Sequence, residues 1–148
     1  MKDMNYNEKY LIENNNDLNK RFLKFHDRYV CPCCNYPTLS ERNGYEICGL
    51  CFWEDDGQDD RNASEVLGGP NHDYSLTEAK NNFIQYLTMY RPSDTIAFNN
   101  RNKDRIKEIK EIYDNVLKME IETEIHLIEG ELRKARRLEE KLVKDTTR

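Results

Sequence analysis

Two pairs of cysteines constrain the fold of this sequence more than any other feature. Cys31 and Cys34 form the first C-x-x-C pair, Cys48 and Cys51 form the second, and thirteen residues lie between the pairs. Paired thiols at this spacing are typical of a tetrahedral metal site with four protein ligands. The sequence therefore predicts one structural Zn²⁺ ion held by these four residues.

A fifth thiol, Cys33, lies inside the first pair. A C-x-C spacing cannot form the same turn as C-x-x-C, so we expect Cys33 to be a spare thiol and not a ligand. Asn35 is expected to adopt the left-handed conformation that follows the second cysteine of such a turn. Two alternatives stay open from the residues alone. Iron can take the same four thiolates, and Cys33 can serve as a redox thiol.

The residues between the two pairs predict a β-hairpin. Residues 38–39 and 45–47 have the composition of short strands, and Asn43-Gly44 is a strong hairpin-turn signal. With a cysteine pair at each end, this arrangement is a zinc ribbon. We therefore expect a small α+β fold. It would have a zinc-ribbon-like, two-knuckle β-hairpin core with flanking helices and a long C-terminal helix or helical hairpin.

Helical patterns flank this core on both sides. Residues 1–28 carry apolar side chains at helical spacing and are predicted to form an N-terminal helical segment. Residues 75–90 are predicted to form a helix, because Ser75 and Glu78 fit a capping box and Pro92 lies just beyond its end. Residues 93–102 are predicted to be a linker.

The C-terminal part of the chain is also strongly helical in pattern. Residues 102–144 contain no proline and a single glycine, Gly130, and their apolar residues recur every three or four positions. This pattern predicts one long amphipathic helix or a pair broken near Gly130, and the apolar phase drifts between Met119 and Ile125. The expected domains are therefore residues 1–28, 29–92 and 93–148.

Composition indicates a small core and a poor nucleic-acid binder. Of 148 residues, 37% are hydrophobic and 34% are charged, and the net charge is −5. So few apolar residues favour a small, metal-reinforced core with solvated helices. An acidic chain is a poor candidate for nucleic-acid binding, which usually requires a basic face, although a local basic patch is compatible with this charge. Residues 133–137 are the one basic run, and we expect them to be a solvated helix face with i,i+4 ion pairs.

The sequence shows neither a signal peptide nor a membrane span. Residues 1–10 are polar, and no apolar run approaches the ~20 residues that a spanning helix needs. We therefore expect a cytoplasmic protein with no membrane partner. In that compartment thiols stay reduced, which favours metal ligation over disulfides.

Several motifs around the cysteines resemble the bacterial cysteine-rich CPCC domain family. The resemblance lies in four stretches: Cys31-Pro32-Cys33-Cys34, YEICGLCFWEDDGQDD from Tyr45, Gly68-Gly69-Pro70-Asn71, and SLTEAKNNF from Ser75. It covers about residues 29–92. Asn35 stands where the family usually has glycine, and Gly49 where it often has proline. The resemblance implies a zinc-ribbon-like domain, often encoded as a small stand-alone bacterial protein, and it implies no established activity.

An acidic loop follows the second cysteine pair. Five of its residues are candidates for a partner-binding surface: Trp53, Asp55, Asp56, Asp59 and Asp60. Two alternatives remain for the carboxylates. They can be structural, capping turns and pairing with Arg42 or Arg61, or they can hold a second metal or act in catalysis. Their spacing does not match an EF-hand loop.

No motif in the sequence indicates a catalytic residue. We therefore predict a non-enzymatic, zinc-stabilised protein-binding module of a bacterial cytoplasm. One version of this hypothesis is a toxin-neutralising, immunity-type protein, since an acidic inhibitor associates faster with a basic target. The partner would be another protein, or a second copy bound through the C-terminal helix. The alternatives are a nucleic-acid or transcription-associated zinc ribbon and a metal-dependent enzyme that uses the acidic loop 54–60.

Overall fold

The computed structural model describes residues 23–145, apart from the side chains of residues 121–123. This part of the chain contains a two-stranded hairpin, one 3₁₀ turn and four helices. The elements are β1 (Lys24–Phe25), β2 (Arg28–Tyr29), the 3₁₀ turn Gly69–Asn71, α1 (Leu76–Tyr86), α2 (Thr95–Asn99), α3 (Lys103–Val116) and α4 (Ile121–Asp145). The predicted small α+β class with a long C-terminal helix is confirmed.

The first strands lie where the sequence predicted a helix. Residues 1–22 of the predicted N-terminal helical segment lie outside the described residues. Residues 24–29 form an antiparallel hairpin, with Lys24 opposite Tyr29 and Phe25 opposite Arg28. His26 at its turn has a φ of 56°. The apolar spacing that suggested a helix here instead places Phe25 in the core.

The strand pairing around the cysteines differs from the predicted hairpin. Residues 38–39 do not pair with 45–47: Leu39 bridges to Tyr29, and Ile47 bridges to Glu54. The cause is Asp55, whose carboxylate accepts a hydrogen bond from the Asn43 amide at 2.8 Å and holds the 42–44 turn against the residues after the second cysteine pair. Each cysteine pair therefore lies at the turn of its own short antiparallel ladder.

Helix α1 begins as predicted and ends four residues early. The Ser75 hydroxyl accepts a hydrogen bond from the Glu78 amide at 3.0 Å. The predicted end was residue 90, but Leu87 adopts a left-handed conformation with φ 63° after Tyr86. The side chain of Asn82 donates to the Met89 carbonyl, and this contact turns the chain back towards the core.

The predicted linker contains the short helix α2, and the C-terminal region is a helical hairpin. Helices α3 and α4 are separated by residues 117–120, so the break is not at Gly130. It coincides with the start of the drift in apolar phase. Glu124 has non-helical dihedral angles (φ −119°, ψ 21°), which marks a kink near the start of α4. Glycine within a helix costs only about 1 kcal/mol, which is small against the packing of α4 as a whole on α3.

One continuous apolar core joins the cysteine region to the C-terminal helices. Tyr36, just after the first cysteine pair, lies 5.8 Å from Tyr113 of α3 between ring centroids, and its hydroxyl donates to Asp114 at 2.6 Å. Met89 after α1 donates its amide to the Cys51 carbonyl at 3.0 Å. These contacts fix both helical regions against the cysteine pairs. None of the helices in residues 23–145 combines the length and apolar character needed to cross a membrane.

Candidate metal centre

The first cysteine turn is closed by backbone hydrogen bonds. The amide of Asn35 donates to the Cys31 carbonyl at 2.9 Å, and the Cys31 amide donates to the Tyr36 carbonyl at the same distance. Asn35 has a φ of 65°, as the sequence predicted for the residue after the second cysteine. Asparagine tolerates this region better than most residues. The turn therefore brings the side chains of Cys31 and Cys34 together.

The second cysteine turn repeats this geometry with a different residue. The amide of Phe52 donates to the Cys48 carbonyl at 3.0 Å, and Phe52 has a φ of 75°. A bulky residue in this region is strained, by about 1–3 kcal/mol. The Phe52 ring is buried, and the Arg101 guanidinium carbon lies 3.8 Å from its centroid. Burial and this cation–π contact hold the strained conformation in place.

The two turns converge on one point. The four Sγ atoms of Cys31, Cys34, Cys48 and Cys51 all lie within 4.8 Å of one another, and all four residues are buried. The Cys31–Cys51 and Cys34–Cys48 sulfur separations are both 3.7 Å. Disulfide sulfurs lie ~2.05 Å apart, so these are free thiols.

The sulfur separations have the size that a metal site requires. Four sulfurs placed tetrahedrally at ~2.3 Å from one Zn²⁺ ion are about 3.8 Å apart, which matches the two separations of 3.7 Å. Four thiolates also complete the coordination sphere, so no position remains for water or substrate. This donor set fits a closed, tetrahedral metal ion.

Backbone amides in and next to the second cysteine turn donate hydrogen bonds to the sulfurs of that turn. The amides of Leu50 and Cys51 donate to Cys48 Sγ at 3.4 and 3.5 Å. The amide of Trp53 donates to Cys51 Sγ at 3.5 Å. Thr38 Oγ1 lies 3.0 Å from Cys48 Sγ and is itself buried. These donors stabilise negative charge on sulfur.

The protonation of the four thiols shows which sulfur ionises first. Burial raises the pKa of Cys31, Cys34 and Cys51 well above the ordinary value. Burial acts against ionisation of Cys48 too, but hydrogen bonds from the other three cysteines and from a backbone amide lower the pKa of Cys48. Since burial disfavours negative charge on these sulfurs, four thiolates together need a bound cation.

Cys33 is buried but does not belong to the cluster of four. Burial also raises the pKa of Cys33, whereas the reactive thiols of redox sites have a lowered pKa.

Helix α4 covers the second turn. A Cβ atom added at Gly49 would lie 2.6 Å from Cβ of Glu139. Glu139 is buried and accepts a short hydrogen bond from the Tyr113 hydroxyl of α3. Burial raises the pKa of Glu139 to about 8. Neither Thr38 nor Glu139 was predicted to lie at the site, because neither belongs to a motif and Glu139 is far from the cysteines along the chain.

Most carboxylates of the acidic loop form ion pairs or hydrogen bonds with other residues of the protein. Asp55 is fully buried and forms an ion pair with Arg42, Nε to Oδ2 at 2.9 Å. Asp59 accepts from the Arg61 amide at 3.0 Å, and Asp60 lies 3.2 Å from the Lys80 ammonium. The predicted alternative of carboxylates capping turns and pairing with arginines fits these contacts.

Burial separates the five predicted partner-binding residues into two groups. Trp53 and Asp55 are fully buried and Asp59 nearly so, which removes these three from any surface that a partner could contact. Asp60 is exposed and Asp56 half-buried. Within residues 23–145, the four cysteines are the one group of His, Cys, Asp and Glu side chains close enough to hold a metal ion. The acidic loop therefore does not assemble a second metal site there.

A comparison with protein-family models matches residues 29–101 to a family described as cysteine-rich CPCC. The matched range includes all five cysteines and ends at Arg101, whose guanidinium packs on Phe52. It extends past residue 92, the predicted end of the domain. No curated protein and no solved structure matches the chain. The resemblance seen in the sequence is confirmed over this range.

Proposed function

Because residues 29–101 of this chain are a cysteine-rich CPCC domain, we propose that the chain is a zinc-stabilised, non-enzymatic protein-binding module. One observation carries the zinc assignment: four buried thiols have sulfur separations of 3.7 Å in two pairs, close to the edge of a tetrahedral zinc site. The ion is structural, since four thiolates leave no open position for chemistry. It fastens the two cysteine turns to each other.

Metal analysis of the purified chain tests this assignment. We expect one zinc per chain. Cys31→Ser and Cys51→Ser should lose the metal and unfold the cysteine region, because metal-binding free energy is here folding free energy. The matched control is Cys33→Ser, which should keep both metal and fold. Iron at one per chain, or metal loss in Cys33→Ser with retention in Cys34→Ser, would overturn the zinc or the ligand assignment.

The surface of the domain supports the protein-binding part of the proposal. Val66 and Leu67 are consecutive and 55% and 49% exposed, directly before Gly68. Contiguous exposed apolar surface is a feature of protein contact sites, and these two residues are adjacent in the chain. The domain also carries eleven acidic and five basic residues between Tyr29 and Arg101. We therefore propose a basic protein as the partner, and in a bacterial cytoplasm a toxin neutralised by this domain would have that chemistry.

Affinity capture with matched variants tests the protein-binding surface. The wild-type chain and Leu127→Asp, which alters an equally exposed leucine outside the domain, should capture the same partner. The double variant Val66→Asp and Leu67→Asp should lose it, and capture should weaken as salt rises. Absence of a partner at every salt concentration, or equal capture by all three proteins, would contradict the proposal.

A further inference from the structure

Helix α4 carries its positive charges on the side that faces solvent. Five basic residues near its C-terminus are exposed: Arg133, Lys134, Arg137, Lys141 and Lys144. At ~100° per residue, four of them (all but Lys134) lie within a sector of about 80°. The buried residues Leu132, Ala135 and Leu142 lie on the opposite side. The helix thus has an apolar face, which packs in the core, and a basic face, which is exposed to solvent. We call these five residues the basic face.

Within the part of the chain that the structure describes, the basic face is not neutralised. The sequence predicted i,i+4 ion pairs here, but none of the five residues forms an ion pair, a hydrogen bond or another electrostatic contact with the described residues. The neighbouring Arg136 differs, since its Nη2 lies 3.5 Å from Asp27 Oδ1. Two exposed acidic residues flank the sector, Glu140 about 20° beyond one edge and Asp145 about 40° beyond the other. The expected solvated face is thus present, but the expected i,i+4 ion pairs do not form among the described residues, which leaves these charges exposed to a partner.

The net charge of the chain does not show that its basic and acidic residues are concentrated in different regions. Residues 131–144 contain six basic and three acidic residues, whereas residues 29–101 are acidic by six charges. At physiological salt, exposed charges more than ~8 Å apart are largely screened, so a partner at α4 responds to the local charges. The argument against nucleic acid from the overall charge of −5 therefore does not apply to this helix.

We propose that the basic face of α4 is a sequence-independent binding surface for the phosphate backbone of nucleic acid. Residues 131–145 contain no aromatic side chain for base stacking or for an interface anchor. The apolar face of the helix is buried, so it has no apolar side to insert into a lipid surface. The positive charge of the basic face, spread over ~17 Å of helix, is therefore the remaining basis for binding. A chain of phosphate groups is the partner that complements it.

Fluorescence anisotropy with the zinc-loaded full chain tests the proposal, with labelled DNA and RNA duplexes of about 20 base pairs as probes. Binding should weaken steeply with salt. Five phosphate contacts on B-DNA correspond to a slope of log affinity against log salt near −4.5, or about a 500-fold loss from 50 to 200 mM. The double variant Arg137→Glu and Lys141→Glu should bind at least tenfold more weakly at about 50 mM salt and show a shallower slope. Glu140→Lys should bind more tightly than wild type.

The matched control places the same charge reversal elsewhere. Lys107→Glu and Lys118→Glu alter two exposed lysines that lie outside the basic face, and this double variant should bind both duplexes within about twofold of wild type. Equal losses in the two double variants would overturn the proposal, as would no binding to either duplex at about 50 mM salt. Competition by polyglutamate, or by phosphatidylserine vesicles, that matches duplex at equal charge concentration would assign the surface to acidic proteins or membranes instead.

Discussion

Gly49 and Glu139 meet where α4 crosses the second cysteine turn. The added Cβ at Gly49 would lie 2.6 Å from Glu139 Cβ and 3.3 Å from its backbone Cα. The long glutamate side chain cannot relieve such a contact, because the nearest atoms are those closest to the helix. A side chain at position 49 therefore has to displace the helix itself.

Gly49→Ala should destabilise the zinc-loaded chain by about 1–3 kcal/mol, the usual cost of an overpacked core contact. The measurement is the free energy of unfolding in urea. Gly130→Ala is the matched control. That glycine lies in α4 with only the far end of Arg133 near its Cβ position, 3.8 Å away, so alanine there should stabilise the chain by about 0.5–1 kcal/mol. Equal effects at the two positions would contradict the close contact at Gly49.

Glu139 gives the chain a distinct pH dependence. Its pKa is raised by burial from 4.5 to about 8. A carboxyl group whose pKa is raised on folding stabilises the folded state below the unfolded pKa, and this stability is lost as pH rises towards the folded pKa. Relative to Glu139→Gln, wild type should lose on the order of 2 kcal/mol between about pH 6 and about pH 8. Parallel unfolding curves for the two zinc-loaded proteins across this range would contradict the raised pKa.

For individual residues, the sequence predicted correctly those features that depend on the spacing of residues close together in the chain. The four clustered cysteines and the left-handed Asn35 follow from neighbouring residues. Thr38 beside Cys48 and Glu139 over Gly49 depend on how distant segments pack, and neither residue type is unusual in its sequence context. The buried Asp55 is an intermediate case: its pairing with Arg42 was one of two alternatives, and only the fold decides between them.

At the scale of the helix, N-caps control where α1 and α3 begin. Ser75 accepts from the Glu78 amide at 3.0 Å, and Asn102 accepts from the Arg105 amide at 3.1 Å. Glu78 does not complete the predicted capping box with its side chain. It binds Arg91 through two hydrogen bonds of 2.7 Å, which joins the start of α1 to the segment after it.

Ser75→Ala and Asn102→Ala should each cost about 1 kcal/mol, the typical value for removing an N-cap side chain. Thermal unfolding of the zinc-loaded variants checks this. Ser93→Ala, at an exposed position outside the helices, should stay within about 0.5 kcal/mol of wild type. A loss at Ser93 as large as that at Ser75 would show that capping is not the cause.

The starts of α1 and α3 were therefore predictable, and the end of α1 was not. Ser75 signals its helix through local chemistry, whereas Tyr86 ends it because Asn82 and Met89 form a contact that depends on the core. The break between α3 and α4 left a trace in the sequence, the change of apolar phase after Met119. Gly130 was the more visible signal and the wrong one, because packing on α3 offsets the cost of one glycine.

At the scale of the whole molecule, the metal site and the helices share one core. Tyr36 contacts Tyr113 and Asp114 of α3, and Glu139 of α4 packs on the second cysteine turn. The predicted boundary at residue 92 divides segments that are buried together. Loss of the metal should therefore destabilise the helices as well as the cysteine region.

Removal of zinc by a chelator should unfold the cysteine region and the α3–α4 hairpin together. The near-ultraviolet signal of the buried aromatic residues and the helical far-ultraviolet signal should fall along one transition, and added zinc should restore both. Cys33→Ser should behave as wild type. If the helical signal persists in full after the metal is gone, the two regions are independent folding units.

The close approach of Gly49 to α4 also makes an evolutionary prediction. A helix that passes so near the second cysteine turn leaves no room for a proline, the residue that the family resemblance predicts at this position. Among proteins with this domain, residue 49 and the C-terminal extension should therefore change together. Glycine should accompany chains whose helix covers the turn, and larger residues should appear where the helix is missing. An alignment of such sequences would then show from a single position which of them carry a covered metal site.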